Sequence, residues 1–226
     1  MKETIKASVN SGLSELGIEL NNTQVDRLVN YLLMLDKWNK VYNLTAVRNV
    51  DEMITHHLLD SLSVVLPFQR QLNISKMYDS ASKKILDVGS GAGLPGVVLA
   101  ICFPDVSVVC IDAVAKKMAF VRQVSSALAL DNLVALHSRV ESVKSQYSII
   151  TSRAFASLSD FVAVSANALA DGGCWMAMKG KVPHQEIEQL PDNIDMFHVE
   201  QVSVPGLNAE RCIVWMKKRR RNDLEV

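Results

Sequence analysis

The chain has 226 residues, 49% of them apolar, which suits one large domain or a domain with an appendage and excludes a disordered chain. Lys plus Arg and Asp plus Glu balance at 24 each, so no global field draws the chain to nucleic acid, and any RNA contact must be local. The four cysteines (Cys102, Cys110, Cys174, Cys212) form no CxxC pair and have no histidine at zinc-ligand spacing, which reads as buried thiols in a reducing cytoplasm and no metal.

Met1-Lys2-Glu3-Thr4 opens a mixed polar segment without the apolar run of a signal peptide. No window approaches ~20 uninterrupted apolar residues, so no membrane span is expected. Ile5, Val9, Leu13 and Leu16 recur at helical spacing, and Gly17 ends the run. Thr23 is placed to cap a second helix with Val25, Leu28, Val29, Leu32 and Leu35 on one face, ending at Trp38. The stretch 38–47 is aperiodic and reads as a structured loop that packs Trp38 and Tyr42 on the core. Asp51 is placed to cap a third helix, on which His57 and Asp60 stand one turn apart and suit a structural imidazole–carboxylate pair.

Residues 70–83 are polar and mark a boundary. The expected organisation is an N-terminal helical extension over 1–70 packed on a core over 71–218, with a basic and polar tail over 219–226. From Lys84 onward strands and helices alternate. The expected strands are Ile85–Val88, Val106–Ile111, Leu133–His137, Ser148–Thr151, Cys174–Met178, Met196–Val202 and Arg211–Met216. A helix over about Leu158–Ala170 is expected to end at Gly172-Gly173, and a short one to cover His184–Leu190. Such alternation implies a parallel sheet with helices on both faces. Only a loop joins the last two strands, so they pair antiparallel and the sheet is mixed. The run Lys217-Lys218-Arg219-Arg220-Arg221 reads equally as a solubilising tail and as a phosphate contact.

In a doubly wound sheet, ligands bind at the carboxyl ends of the strands. There the first strand delivers Asp87 and the turn Gly89-Ser90-Gly91-Ala92-Gly93-Leu94-Pro95-Gly96. Glycines permit φ > 0 and close approach to a ligand, and a helix start behind them suits a nucleotide. The second strand ends at Asp112, a carboxylate able to accept both hydroxyls of a ribose, as in NAD or S-adenosylmethionine. Gly91-Ala-Gly93-Leu-Pro-Gly96 matches GxGxxG literally, but the first glycine after the strand is Gly89, giving Gly89-x-Gly91-x-Gly93. Asp87 in the strand end suits a cationic amino-acid group better than a pyrophosphate, which favours the sulfonium cofactor.

The stretch Leu86–Gly93 resembles motif I of class I S-adenosylmethionine-dependent methyltransferases, whose Rossmann-like seven-stranded mixed sheet it implies. Four further stretches resemble the bacterial 16S rRNA guanine-N7 methyltransferases of the glucose-inhibited division protein B (RsmG) family. They are Asn43-Leu44-Thr45-Ala46 with His57-Leu58-Leu59-Asp60-Ser61, Gly93-Leu94-Pro95-Gly96, Arg139-Val140-Glu141, and Ser152-Arg153-Ala154-Phe155-Ala156. The resemblance runs from about residue 30 to 217, in order.

It implies that Gly89, Gly91, Gly93 and Leu94 line the methionine and ribose part of S-adenosylmethionine, beside Asp87. Asp112, with Ala113, would hold the ribose, and Val140 and Glu141 would flank the adenine. Arg153 would stand at the methyl group and the incoming base, as both a catalytic and a cofactor-side residue. Lys179, Lys181, Arg139 and Lys40 are the candidates for contact with the RNA, which would be 16S rRNA, the small subunit or its precursor. A monomer is expected. The Asp/Asn-Pro-Pro-Tyr/Phe motif of enzymes that methylate exocyclic amines is replaced by Ser152-Arg153-Ala154-Phe155. Two other classes fit parts of the pattern: an NAD-dependent oxidoreductase, which would need a second mononucleotide-binding half, and a non-catalytic RNA-binding ribosome assembly factor.

Overall fold

The computed structural model describes residues 1–74 and 83–219. Helix α1 (Lys2–Leu16) stops at Gly17, whose φ of 67° lets its N–H turn back onto Leu13 and Ser14 carbonyls. Helix α2 (Asn22–Tyr42) starts two residues earlier than Thr23 would set it. Asn21 is the cap, in a reciprocal box with Gln24, because its side chain accepts from the Gln24 amide while Gln24 accepts from the Asn21 amide. The helix also runs past Trp38 to Tyr42 and ends on Asn43 at φ 50°, so the first part of the expected loop is helical. Trp38 stacks on Tyr42 at 5.0 Å within it.

The expected third helix is divided. Asn49, rather than Asp51, caps α3 (Val50–Met53). A π-helical stretch follows over Ile54–Leu59, then α4 (Asp60–Leu62) and α5 (Val65–Ile74). Helix α5 continues through residue 70, so the change to strand–helix alternation falls after it, next to residues 75–82, which lie outside the described ones. Arg220 and Arg221 of the basic run also lie outside them.

The sheet contains β1 (Lys84–Val88), β2 (Ser107–Asp112), β3 (Leu133–His137), β4 (Tyr147–Arg153), β5 (Leu169–Lys179), β6 (Ile194–Val202) and β7 (Arg211–Lys218). Its order is β3-β2-β1-β4-β5-β7-β6, a seven-stranded α/β sheet. Strands β1 to β5 are parallel, while β7 runs antiparallel to both β5 and β6. Asp87 therefore sits in register between Cys110 and Thr151. The connecting helices are α6 (Gly96–Cys102), α7 (Ala115–Ala127), α8 (Leu158–Ser165) and α9 (His184–Glu188).

Two local expectations need correction. Helix α8 ends at Ser165 and a 3-10 turn covers Ala166–Ala168, because the chain must swing into β5 five residues before Cys174. Gly172, at φ 73°, sits inside that strand at a register shift against β4 rather than ending a helix. Strand β4 also reaches Arg153, so Arg153 is a strand-end residue and not a loop residue.

The two faces of the sheet carry separate apolar layers. One joins Ile85, α6 and α7 to the N-terminal helices in one continuous cluster. The other packs Leu86, Val88 and Ile150 against α8. The N-terminal helices are also tied to the glycine turn by hydrogen bonds. The buried Tyr31 hydroxyl donates to the Ala92 carbonyl at 2.9 Å, and Gln24 Nε2 donates to the Ile101 carbonyl at the end of α6 at 2.9 Å. Movement of α2 would thus be felt at the turn. No helix of the described residues is long and apolar enough to cross a membrane. The four cysteines are unpaired.

Candidate active site

The turn after β1 hangs on the end of β2: the Gly89 and Ser90 amides both bond the Ile111 carbonyl, at 2.9 and 3.2 Å. Gly89, Gly91 and Gly93 all have positive φ, at 65°, 59° and 91°, the region that disfavours a Cβ. The carboxylate of Asp112 closes the turn from below. Its Oδ2 accepts from the Gly91 amide at 3.0 Å and its Oδ1 from the Val114 amide at 2.8 Å, with Lys117 Nζ at 3.5 Å. The glycines have different tasks. A Cβ on Gly89 would meet nothing within 4 Å, so its backbone faces open space. A Cβ on Gly93 would stand 2.3 Å from Val97 Cγ2. Gly93 therefore lets the turn pack onto its own helix.

The open space over Gly89 is a cleft of about 240 Å³. It gathers Gly89, Asp112, Ala113, Val140, Glu141 and Arg139, with Phe155 on its wall. A carboxylate (Asp112), an apolar wall (Val140, Phe155) and a second carboxylate (Glu141) around an open glycine backbone fit a nucleoside: hydroxyls at the first acid, a flat base along the wall. Leu94 is buried behind the turn, preceding Pro95 through a cis bond.

Asp87 does not line this cleft; it is wholly buried against the start of α6. Its Oδ2 accepts from the Gly96 amide at 2.9 Å, taking an N–H that the start of α6 would leave unpaired. Its Oδ1 has no hydrogen-bond partner among the described residues. Burial pushes its carboxyl up to about 7, against the pull of the Gly96 amide and the Arg153 charge.

A second cavity, of about 450 Å³, opens on the other side of the β4 end. The π-helical stretch builds its wall. There the Asp60 amide bonds the Thr55 and His57 carbonyls, and the His56 carbonyl accepts from Arg153 Nη1 at 3.1 Å. The widened helix also rotates His57 and Asp60 apart, so the expected pair does not form. His57 Nε2 meets Thr45 Oγ1 at 2.6 Å, and burial holds its imidazole down at about 4. Asp60, almost wholly buried, instead bonds two arginines: Oδ2 to Arg153 Nη1 at 3.0 Å and Oδ1 to Arg211 Nε at 2.7 Å.

Arg153 and Ala154 line this larger cavity, whereas Phe155 lines the cleft over Gly89. Ala154 reverses the chain at φ 60°. These three residues therefore partition two neighbouring cavities. Of the basic candidates, Lys179 lines the larger cavity, its Nζ bonded to Glu186 at 2.7 Å. Lys181 follows the end of β5 and is exposed. Arg139 stands at the cleft over Gly89, away from the larger cavity. Lys40 is exposed and bonded to Asp36 at 2.6 Å, lining neither. Sequence reasoning missed Arg211 and Phe155. Arg211 opens β7, and because β7 is antiparallel its first residue lies beside the last residues of β5; the hairpin topology carried that signal.

Residues 24–214 match the family described as rRNA small subunit methyltransferase G. The chain belongs to that family. It is 54% identical over 216 residues to the ribosomal RNA small subunit methyltransferase G of Polaromonas naphthalenivorans (strain CJ2), covering 96% of this chain and 97% of that one. The counterpart in Albidiferax ferrireducens is 52% identical over 218 residues, covering 95% and 97%. Among solved structures, a ribosomal protein L11 methylase from Lactobacillus delbrueckii subsp. bulgaricus is similar in fold, with TM-score 0.53 and 14% identity over 72% of this chain and 77% of that one. A methyltransferase fold from Thermoplasma acidophilum gives TM-score 0.51 at 11% identity, over 62% and 70%. Membership of the rRNA small subunit methyltransferase G family removes the oxidoreductase reading. The sheet agrees, since an antiparallel hairpin stands where a second mononucleotide-binding half would be.

Proposed function

We propose that this chain, as a monomer, transfers the methyl group of S-adenosylmethionine to N7 of a guanosine in the 16S rRNA of the small ribosomal subunit or its precursor. The observation that carries the reading is the partition at Arg153–Phe155: a nucleoside-shaped cleft with two carboxylates on one side, a cation-lined cavity on the other. Gly89 supplies the open backbone, Asp112 and Ala113 take the ribose, and Val140 and Glu141 take the adenine edge. Gly91 acts from below by holding Asp112 in place. Asp87, whose free Oδ1 is buried next to the turn, is the counter-charge for a cationic amino group.

The cofactor supplies an electrophilic methyl group on sulfonium, and guanine N7 has an in-plane lone pair and no proton to lose. No general base is required, and the chain contributes proximity and alignment. A cation against N7 would block attack, so Arg153 addresses guanine O6, an acceptor that arginine suits. Its Nη1 is already spent on Asp60 and His56. Its Nη2 has no acceptor among the described residues and is the atom available.

The test is methyl transfer from labelled S-adenosylmethionine to 16S rRNA, free and in small subunits, with the product nucleoside identified by mass spectrometry. N7-methylguanosine at one site is expected. Methylation of an exocyclic amine overturns the N7 assignment, and RNA binding without transfer restores the assembly-factor reading.

A further inference from the structure

Within the cluster of Asp60, Arg153 and Arg211 the charges do not balance. One buried carboxylate is shared by Arg153 and Arg211, leaving one net positive charge. Lys179 does not alter this sum, being matched by Glu186. A partly buried, uncompensated cation is costly unless an anion meets it. Arg153 alone would have neutralised Asp60, so Arg211 is surplus to the fold's own accounts. Its Nε goes to Asp60 and its Nη1 to the Glu210 carbonyl at 2.8 Å. Its Nη2 has no acceptor among the described residues, and the side chain, a quarter exposed, lines the 450 Å³ cavity.

We propose that Arg211 binds a backbone phosphate of the RNA at the target nucleotide, and that Asp60 is the positioning residue holding Arg153 and Arg211 as one rigid pair of donors. The inference rests on the rRNA reading above. One strand, β5, lies between β4 and β7, so the two arginine backbones stand roughly 10 Å apart, while their guanidiniums converge on the two oxygens of Asp60. Approaching Asp60 from different strands, each keeps its Nη2 for another acceptor, one for the base edge and the other for the phosphate. Asp60 reaches both because the π-helical stretch brings it over the strand ends. Guanidinium suits phosphate through its forked donors.

The experiment measures binding of 16S rRNA at several salt concentrations, methylation kinetics on the same RNA, and S-adenosylmethionine affinity. Arg211→Gln leaves a balanced Asp60–Arg153 pair, so it folds. It is expected to raise the RNA Kd and KM about tenfold or more, to lower the salt slope by about one, and to leave cofactor affinity within about twofold. Arg211→Lys keeps a phosphate donor and is expected to restore the salt slope. Asp60→Asn is expected to lower kcat as well as RNA affinity. The double variant Asp60→Asn with Arg211→Gln is expected to bind RNA no more weakly than Asp60→Asn, because Asp60 acts through the arginine.

An unchanged RNA Kd and salt slope in Arg211→Gln overturns the phosphate contact. Additive losses in the double variant overturn the positioning role. Equal losses of RNA and cofactor affinity mean a collapsed site, and also count against the inference. A wild-type chain that neither binds nor methylates ribosomal RNA overturns the functional reading itself. Wild-type methylation beside an unaltered Arg211→Gln overturns the inference alone.

Discussion

Gly96 stands so close to Asp87 that a Cβ on it would lie 2.8 Å from Asp87 Oδ2 and 2.4 Å from Cys110 Sγ. The contact lets the first turn of α6 donate into the carboxylate at 2.9 Å. Gly96→Ala forces the helix off the sheet and weakens that bond. Overpacking of this kind costs about 1–3 kcal/mol. The expected result is a lower urea midpoint at unchanged m, read by chemical denaturation.

Asp87 and His57 set opposed pH dependences. Between its ordinary 3.8 and about 7, the folded chain keeps a proton on Asp87 that the unfolded chain releases, so stability falls as pH rises through that window. His57 acts in the other direction. Its unfolded imidazole protonates near 6.5 and the folded one only near 4, so stability is lost as pH falls between those values. Asp87→Asn removes the first slope and exposes the second. Urea midpoints from about pH 4.5 to 7.5 should then rise with pH in the variant, while the wild type is flatter or falls. The upper bound on the gain near neutrality is about 4 kcal/mol, at 1.36 kcal/mol per unit. A variant profile parallel to the wild type would disprove the assignment to Asp87.

The glycine turn and its flanking strand and helix were legible because each rests on local chemistry: an apolar run, glycines at positive φ, an acid at the next strand end. The hairpin β6–β7 was legible because its connection is too short for a crossover. The π-helical stretch was not. A helical wheel assumes α geometry, and it therefore paired His57 with Asp60 when each had found a distant partner. Arg211 lies 151 residues from Asp60, and only the assembled sheet brings them together. Gly93 shows the same limit at short range. It reads like its neighbours in sequence, yet Val97 packs where its Cβ would stand, while the Cβ of Gly89 would meet open space.

Arg153→Ala leaves Asp60 bonded to Arg211, so the fold is expected to hold. Methyl transfer should fall on the order of 100-fold or more, the loss typical of a donor aligned with the reacting group. Cofactor affinity should change little, because Arg153 lines the larger cavity and not the cleft over Gly89 proposed to take the nucleoside. Parallel calorimetry and single-turnover methylation separate the two. A loss of cofactor binding alone would move Arg153 to the cofactor side.

Helix α7 ends in a Schellman motif built on the wrong residue for it. The Leu130 amide bonds the Ser125 carbonyl at 2.9 Å and the Ala129 amide bonds the Ser126 carbonyl at 3.3 Å, with Ala129 at φ 50°. Glycine ordinarily takes that position, because a Cβ there costs about 1–2 kcal/mol. The greater freedom of glycine in the unfolded chain returns about 0.4–1 kcal/mol of that. Ala129→Gly should therefore stabilise by about 0.5 kcal/mol, visible as a small rise in urea midpoint with methylation unaffected.

Gly89→Ala isolates the cleft from the fold. In the protein alone, the added methyl meets no atom within 4 Å, so the substitution costs only the strain of alanine at φ 65°, about 1–2 kcal/mol. The same methyl projects into the cleft that Asp112 and Glu141 enclose. If that cleft takes the nucleoside of S-adenosylmethionine, the variant should fold, with a modestly lower urea midpoint, and bind the cofactor at least about tenfold more weakly, a loss of 1.4 kcal/mol or more. Gly93→Ala is the contrasting variant, since its methyl strikes Val97 and the cost falls on folding itself. Calorimetric titration of both variants distinguishes space for a ligand from space for packing. Wild-type cofactor affinity in Gly89→Ala would remove the cleft from the active site.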